Sequence, residues 1–156
     1  DLGTPVLPRA LFEALVEVFP EEVRFCTVYS GERPVAVGCG FVHGSEFEIT
    51  WASALWEFSR EAPNMLLYWT LMEAMIEEGC GAFNFGRCTP DSGTHRFKRQ
   101  WGGRDVPLPW AQWSADGTDA TPSPEGGIFE KATSMWQKLP LPVANAVGPF
   151  LSRQIP

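Results

Sequence analysis

Apolar residues recur every three to four positions between residues 5 and 19. Leu7, Leu11, Phe12, Leu15 and Phe19 fall on one face with Glu13 and Glu17 off it, which predicts an amphipathic helix stopped by Pro20. The period then shortens to two. Val23–Tyr29 and Pro34–Val42 read as strands joined by the turn Ser30-Gly31-Glu32-Arg33, and Gly44-Ser45 turns the chain into a third strand, Glu46–Ala52. Residues 53–62 read as a loop. Pro63 opens a helix over 63–78, on which Met65, Tyr68, Trp69, Met72, Met75 and Ile76 form a stripe, Glu73 and Glu77 face away, and Gly79 is the stop. Ala82–Cys88 reads as a short strand, 94–101 as a short helix and Val106–Ser114 as another strand. Ser114–Gly127 is polar and turn-rich, a loop by composition, and Ile128–Leu139 and Pro142–Ser152 read as short helices around Pro140-Leu141-Pro142.

Three hairpin-linked strands followed by a strand-helix-strand crossover predict an α+β fold. Its mixed sheet is antiparallel at first, with strands 46–52 and 82–88 parallel and diverging at one end. Helices 5–19 and 63–78 are expected to cover the sheet. The organisation expected is one domain over 1–115, a flexible loop over 116–127, and C-terminal helical segments over 128–156 packing on that domain.

Composition narrows the function. Seven Trp and eleven Phe are many for 156 residues, so some aromatics are expected to line a groove or an interface. A formal net charge of -7 argues against general nucleic-acid binding, since phosphates would be repelled over most of the surface. Cys26, Cys39, Cys80 and Cys88 show no C-x-x-C spacing, and His43 and His95 are the only histidines, so a structural zinc site is not expected. The thiols read as reduced, in a cytoplasmic protein with no membrane span. Opening on Asp1, the chain is expected to be an excised domain or a gene fragment.

Against this acidic background one segment is basic. Arg87, Arg96, Lys98, Arg99 and Arg104 meet only Asp91 between residues 87 and 104, five cations against one anion, a local +4. A strand entering a Gly/Ser/Thr loop and then a basic helix suggests a site for an anion, or else a solvated helix face. Arg87, at the strand end, suits a phosphate or carboxylate clamp, or a salt bridge with Asp91. His95 has the chemistry of a base near neutral pH. Ser92 and Thr94 can donate hydrogen bonds or cap the helix. Phe97 and Trp101 read as an i,i+4 packing pair.

Several motifs carry a resemblance. They are Gly3-Thr4-Pro5-Val6-Leu7-Pro8, Trp51-Ala52-Ser53, Ala62-Pro63-Asn64-Met65-Leu66-Leu67-Tyr68-Trp69, Phe83-Asn84-Phe85-Gly86-Arg87, Gly93 to Gly102 around Phe97-Lys98, and Trp136-Gln137-Lys138-Leu139-Pro140-Leu141-Pro142. The chain resembles the GNAT acyltransferase fold, and more narrowly the FemAB-like proteins of exosortase/PEP-CTERM exopolysaccharide systems, as their second GNAT-like lobe alone. The resemblance implies transfer of an acyl or aminoacyl group from an anionic donor to an amine acceptor. The donor would enter where strand 46–52 splays from strand 82–88, with the N-terminus of helix 63–78 facing its phosphates. Lys98 and His95 are then the expected catalytic residues, and Arg87, Ser92, Thr94, Trp51, Asn64 and Arg99 the expected substrate contacts. Lys98, matching the family's Phe-Lys pair, would stabilise an oxyanion or hold a phosphate, worth roughly 2.7–4 kcal/mol if it acts as an oxyanion-hole donor.

No cofactor is firmly implied. The turn Trp56 to Pro63 has no glycine, which favours aminoacyl-tRNA over acetyl-CoA as donor. The expected partners include a missing N-terminal lobe and a second copy of the chain, paired through the segments around Trp136 and Phe150. Two other readings stand beside this one: an acetyl-CoA-dependent N-acetyltransferase, and a non-catalytic binding or dimerisation lobe.

Overall fold

The computed structural model describes residues 5–109, 111, 113, 115 and 133–152. They fall into two compact units, one of residues 15–105 and one of residues 1–14 with 106–156. The first holds a four-stranded sheet of β1 (Val23–Ser30), β2 (Arg33–His43), β3 (Glu46–Ala54) and β4 (Ala82–Asn84), in that order across the sheet. β1–β2 and β2–β3 are antiparallel hairpins, and β3–β4 is parallel. The fold is α+β with a mixed sheet, as the element order implies. Gly31, at φ 61°, makes the first tight turn at a backbone angle that side-chain-bearing residues rarely adopt.

The crossover helix α2 (Pro63–Glu77) lies on one face of the sheet and builds the core there. Leu67 and Phe47 are fully buried, with Val35, Ile49, Leu71 and Met75 packed around them. Two glycines of β2 make room. A Cβ on Gly38 would sit 3.3 Å from both Leu67 and Leu71. On Gly40 it would meet the Glu48 carbonyl oxygen at 2.3 Å and the Phe47 ring at 2.5 Å, so only glycine fits.

The structure differs from the sequence expectation in five places. The first helix begins at Arg9 rather than at residue 5. β4 ends at Asn84, not residue 88, because Gly86 turns left-handed at φ 66° and leaves the sheet. Residues 106–109 form no strand; Pro107 and Pro109 cannot donate to a ladder. Within 53–62, β3 continues to Ala54 and a 3-10 helix spans Trp56–Glu61. Finally, α2 buries Pro63, Leu67, Tyr68, Leu71 and Met75, whereas Met65, Trp69 and Ile76 of the expected core stripe are exposed.

The second unit contains the start of α1 (Arg9–Val18), a helical turn over 133–137 and α4 (Leu141–Leu151). Gly148 of α4 packs against Val6 so closely that a Cβ would meet its backbone nitrogen at 2.9 Å. The expected loop over 114–127 and most of the expected helix over 128–139 lie outside the described residues.

Candidate functional site

The expected site residues fall within 15–105, and all but Trp51 and Asn64 lie around the exit of β4 and α3 (Gly93–Gln100). The parallel pairing runs Glu46↔Ala82, Phe47↔Phe83 and Glu48↔Asn84, then stops, while β3 continues to Ala54. Asn84 sets this exit. Its Oδ1 accepts the Gly86 N–H at 2.8 Å, and its Nδ2 donates to Glu46 Oε1 at 2.8 Å, with Glu48 Oε2 at 3.4 Å.

Lys98, on α3, reaches back to the same place. Its Nζ donates to the carbonyls of Gly86 at 3.0 Å and Arg87 at 2.9 Å. Partial burial lowers its pKa, opposed by the nearby Cys88 and Glu48. Two of the three ammonium donors are therefore spent on backbone carbonyls.

A second network lies on the outer side of α3. Ser92 caps the helix, its Oγ accepting the His95 N–H at 3.1 Å. His95 Nδ1 accepts the Asp91 N–H at 2.9 Å, which leaves the ring proton on Nε2, 3.1 Å from Asp105 Oδ1. Arg99 Nη1 meets the other oxygen of Asp105 at 3.1 Å. Both ring nitrogens of His95 are thus engaged. Asp91, His95, Arg96, Arg99, Gln100 and Asp105 line a shallow, open depression.

Between α2, the β4 exit and α3 sits an aromatic cluster. Tyr68 stacks on Phe85 at 5.8 Å and meets Phe97 edge-on at 5.0 Å, while Phe97 and Trp101 pack at 6.3 Å. Burial pushes the Tyr68 phenol up, and the Trp101 Nε1 is buried without a hydrogen-bond partner. This cluster locks α3 onto α2 and so fixes Lys98.

The other expected contacts do not converge with Lys98. Trp51 packs edge-on with Phe41 at 6.3 Å, which in turn meets Phe19, on the sheet face away from α2. Asn64 is exposed on the first turn of α2, and Thr94 on that of α3. Sequence reasoning missed Asn84 and Asp105. Asn84 follows an apolar strand, and its cue was Gly86 two residues on, the spacing at which an Asn side chain accepts a backbone N–H. Asp105 lies one position beyond the basic run and neutralises part of it.

A family model for the acetyltransferase (GNAT) domain matches residues 1–99. The chain belongs to the GNAT acetyltransferase family. No curated protein matches it. The mixed sheet, the crossover helix and the parallel β3–β4 pair fit that family, and the family places the domain among acyltransferases. In a GNAT frame the turn before α2 would cradle a CoA pyrophosphate. Here it is a 3-10 helix carrying Glu57 and Glu61, with Glu57 ion-paired to Arg33 and the Arg33 guanidinium 5.2 Å over the Phe58 ring. Ala62 takes the left-handed hinge at φ 52°, and α2 starts without a side-chain cap. Among the described residues no helix is long and apolar enough to cross a membrane.

Proposed function

We propose that this GNAT domain transfers an acyl or aminoacyl group to an amine in the manner of the FemAB-like branch, in cell-envelope or exopolysaccharide biogenesis, from a donor other than CoA. One observation carries the reading. β4 stops pairing at Asn84 while β3 runs on to Ala54, so a length of β3 backbone has no strand beside it. The α-ammonium of an aminoacyl ester can donate to a free β3 carbonyl there, with its acyl carbon near Glu48, Gly86 and Lys98. The neutral acceptor amine attacks that carbon, the C–N bond forms, and the donor's ester oxygen leaves. Glu48, exposed and held towards Asn84, accepts the amine proton and returns it to the departing ester oxygen, and the third Lys98 N–H faces the oxyanion. His95 serves as a positioning residue, since its two nitrogens hold Asp91 and Asp105. The turn before α2 holds Arg60 between Glu57 and Glu61 and has no glycine, so it offers no backbone cradle for a pyrophosphate, which supports a donor other than CoA.

A non-catalytic lobe is the second reading, favoured by the commitment of Lys98 to two backbone carbonyls. A thermal-shift series with aminoacyl-tRNA, acetyl-CoA and CoA separates the readings. Stabilisation by aminoacyl-tRNA alone, lost in Glu48→Gln along with transfer, is the expected result. Stabilisation by CoA instead identifies an ordinary N-acetyltransferase, and no shift with any donor identifies the non-catalytic lobe.

A further inference from the structure

α2 is apolar on two sides, and only one of them is covered. Away from the buried Leu67, Leu71 and Met75, the residues Met65, Trp69, Met72 and Ile76 recur at steps of four, three and four, with Met72 at the edge, partly buried against the core. That is the spacing of a seam between two packed helices. The seam is open: Met65 is 40%, Trp69 55% and Ile76 71% exposed, with Leu66 beside it at 54%. The turn leading into α2 also exposes Trp56, at 82%. At about 150–250 Å² per large side chain these five leave roughly 600 Å² of apolar surface in water. A standard interface needs about 800 Å² per partner, so the flanking polar side chains complete the area.

The charges around the seam choose the occupant. Glu73 and Glu77 lie in the second half of α2, which holds no cation, and Arg60 precedes its first turn. Among the described residues neither Arg60 nor Glu77 has an ion pair. Two copies side by side in parallel would set Glu73 and Glu77 against their own counterparts. Antiparallel about a two-fold axis midway along the seam, Met65 meets Ile76, Trp69 meets Met72, and Glu77 faces the Asn64 turn and the approaching Arg60. The helix dipoles then oppose each other favourably. An anionic lipid surface would be repelled by these carboxylates and by the net charge of -7. We infer that the α2 seam joins two copies of this chain in an antiparallel, two-fold symmetric dimer. The inference is independent of the catalytic reading, because it uses neither Lys98 nor Glu48.

Analytical ultracentrifugation of the full chain from low to high micromolar concentration tests it. A dimer is expected, weakened about 30-fold or more by Trp69→Glu and likewise by Ile76→Glu, with unchanged circular dichroism. Arg60→Glu and Glu77→Arg should each weaken it, and the double exchange should restore it. A monomer throughout overturns the inference, whether or not that monomer pellets with anionic vesicles. So does a dimer indifferent to Trp69→Glu and Ile76→Glu, or one that the charge exchange fails to rescue.

Discussion

The two sides of the β3–β4 pair are built on opposite plans. Under α2 the core is apolar, and space is so tight that β2 carries glycine at two positions, Gly38 against the helix and Gly40 against β3. At the exit of β4, polar groups dominate and nearly every one is held by another: Asn84 by Gly86 and the glutamates, Lys98 by two carbonyls, His95 by Asp91 and Asp105. The first region stores stability through volume, and the second fixes orientation through hydrogen bonds. Substitutions should therefore separate cleanly, unfolding the domain on one side and misplacing groups on the other.

The sharpest break is Gly40→Ala. Its methyl would stand 2.3 Å from a backbone oxygen, which cannot swing aside as a side chain can. Overpacking usually costs about 1–3 kcal/mol, and this contact should exceed that, to about 4 kcal/mol or more. Urea unfolding should show little folded protein, and a near-native midpoint would refute the packing. Leu67→Ala follows. It empties a fully buried site against Gly38, and a loss of about 3 kcal/mol is expected by the same measurement.

Lys98→Met sharpens the comparison from the polar side. The side-chain volume is kept and two hydrogen bonds are lost, one to the partly buried Gly86 carbonyl and one to the exposed Arg87 carbonyl, for a cost of about 1–2 kcal/mol. Its effect on transfer should be out of proportion to that cost, with kcat falling more than 100-fold, about 2.7 kcal/mol in the barrier. If kcat follows stability alone, Lys98 is only a staple. Ser92→Ala should be milder, about 1 kcal/mol, since it removes the cap of α3 and leaves the Lys98 contacts in place. A melting temperature unmoved by that change would show that the aromatic cluster, not the cap, holds the helix.

The sheet was legible because its signals are local: period-two runs, Gly and Pro punctuation, and Pro63 at a helix start. The face of α2 was not, because a helix apolar all round gives no direction, and the room that Gly38 leaves across the sheet for Leu67 and Leu71 is not a local signal. The end of β4 depended on the Asn84 side chain, whose hydrogen bond to Gly86 appears in the sequence only as a spacing of two. At the basic segment the residues were found but their hydrogen-bond partners were not. The count of cations stopped at Arg104, one residue before the aspartate that ties His95 to Arg99. Serine at the cap of α3 and the Phe97–Trp101 pair were read from spacing alone, and the structure has both.

The smallest effect lies at the rim of the first region, where Arg24 of β1 grips Glu78 just past the end of α2 at 2.6 Å. The hydrogen bond from Arg24 lowers the Glu78 pKa and raises that of Arg24. A carboxylate whose folded pKa lies below its unfolded value, about 4.3, adds stability that is fully present above that value. It is lost as pH falls through the lower folded value. Arg24 stays charged throughout, so the carboxylate alone sets the window. Both side chains are partly exposed, and solvent screening limits the gain to a fraction of a kcal/mol. Unfolding free energies between about pH 5 and pH 3 should fall slightly less steeply in Glu78→Gln than in the parent. Raised salt should shrink that difference, whereas the cost of Leu67→Ala should persist, because no screening reaches a contact that is steric. Identical slopes in the two proteins would mean that the Arg24–Glu78 pair is absent in solution and that apolar packing alone fixes the end of α2.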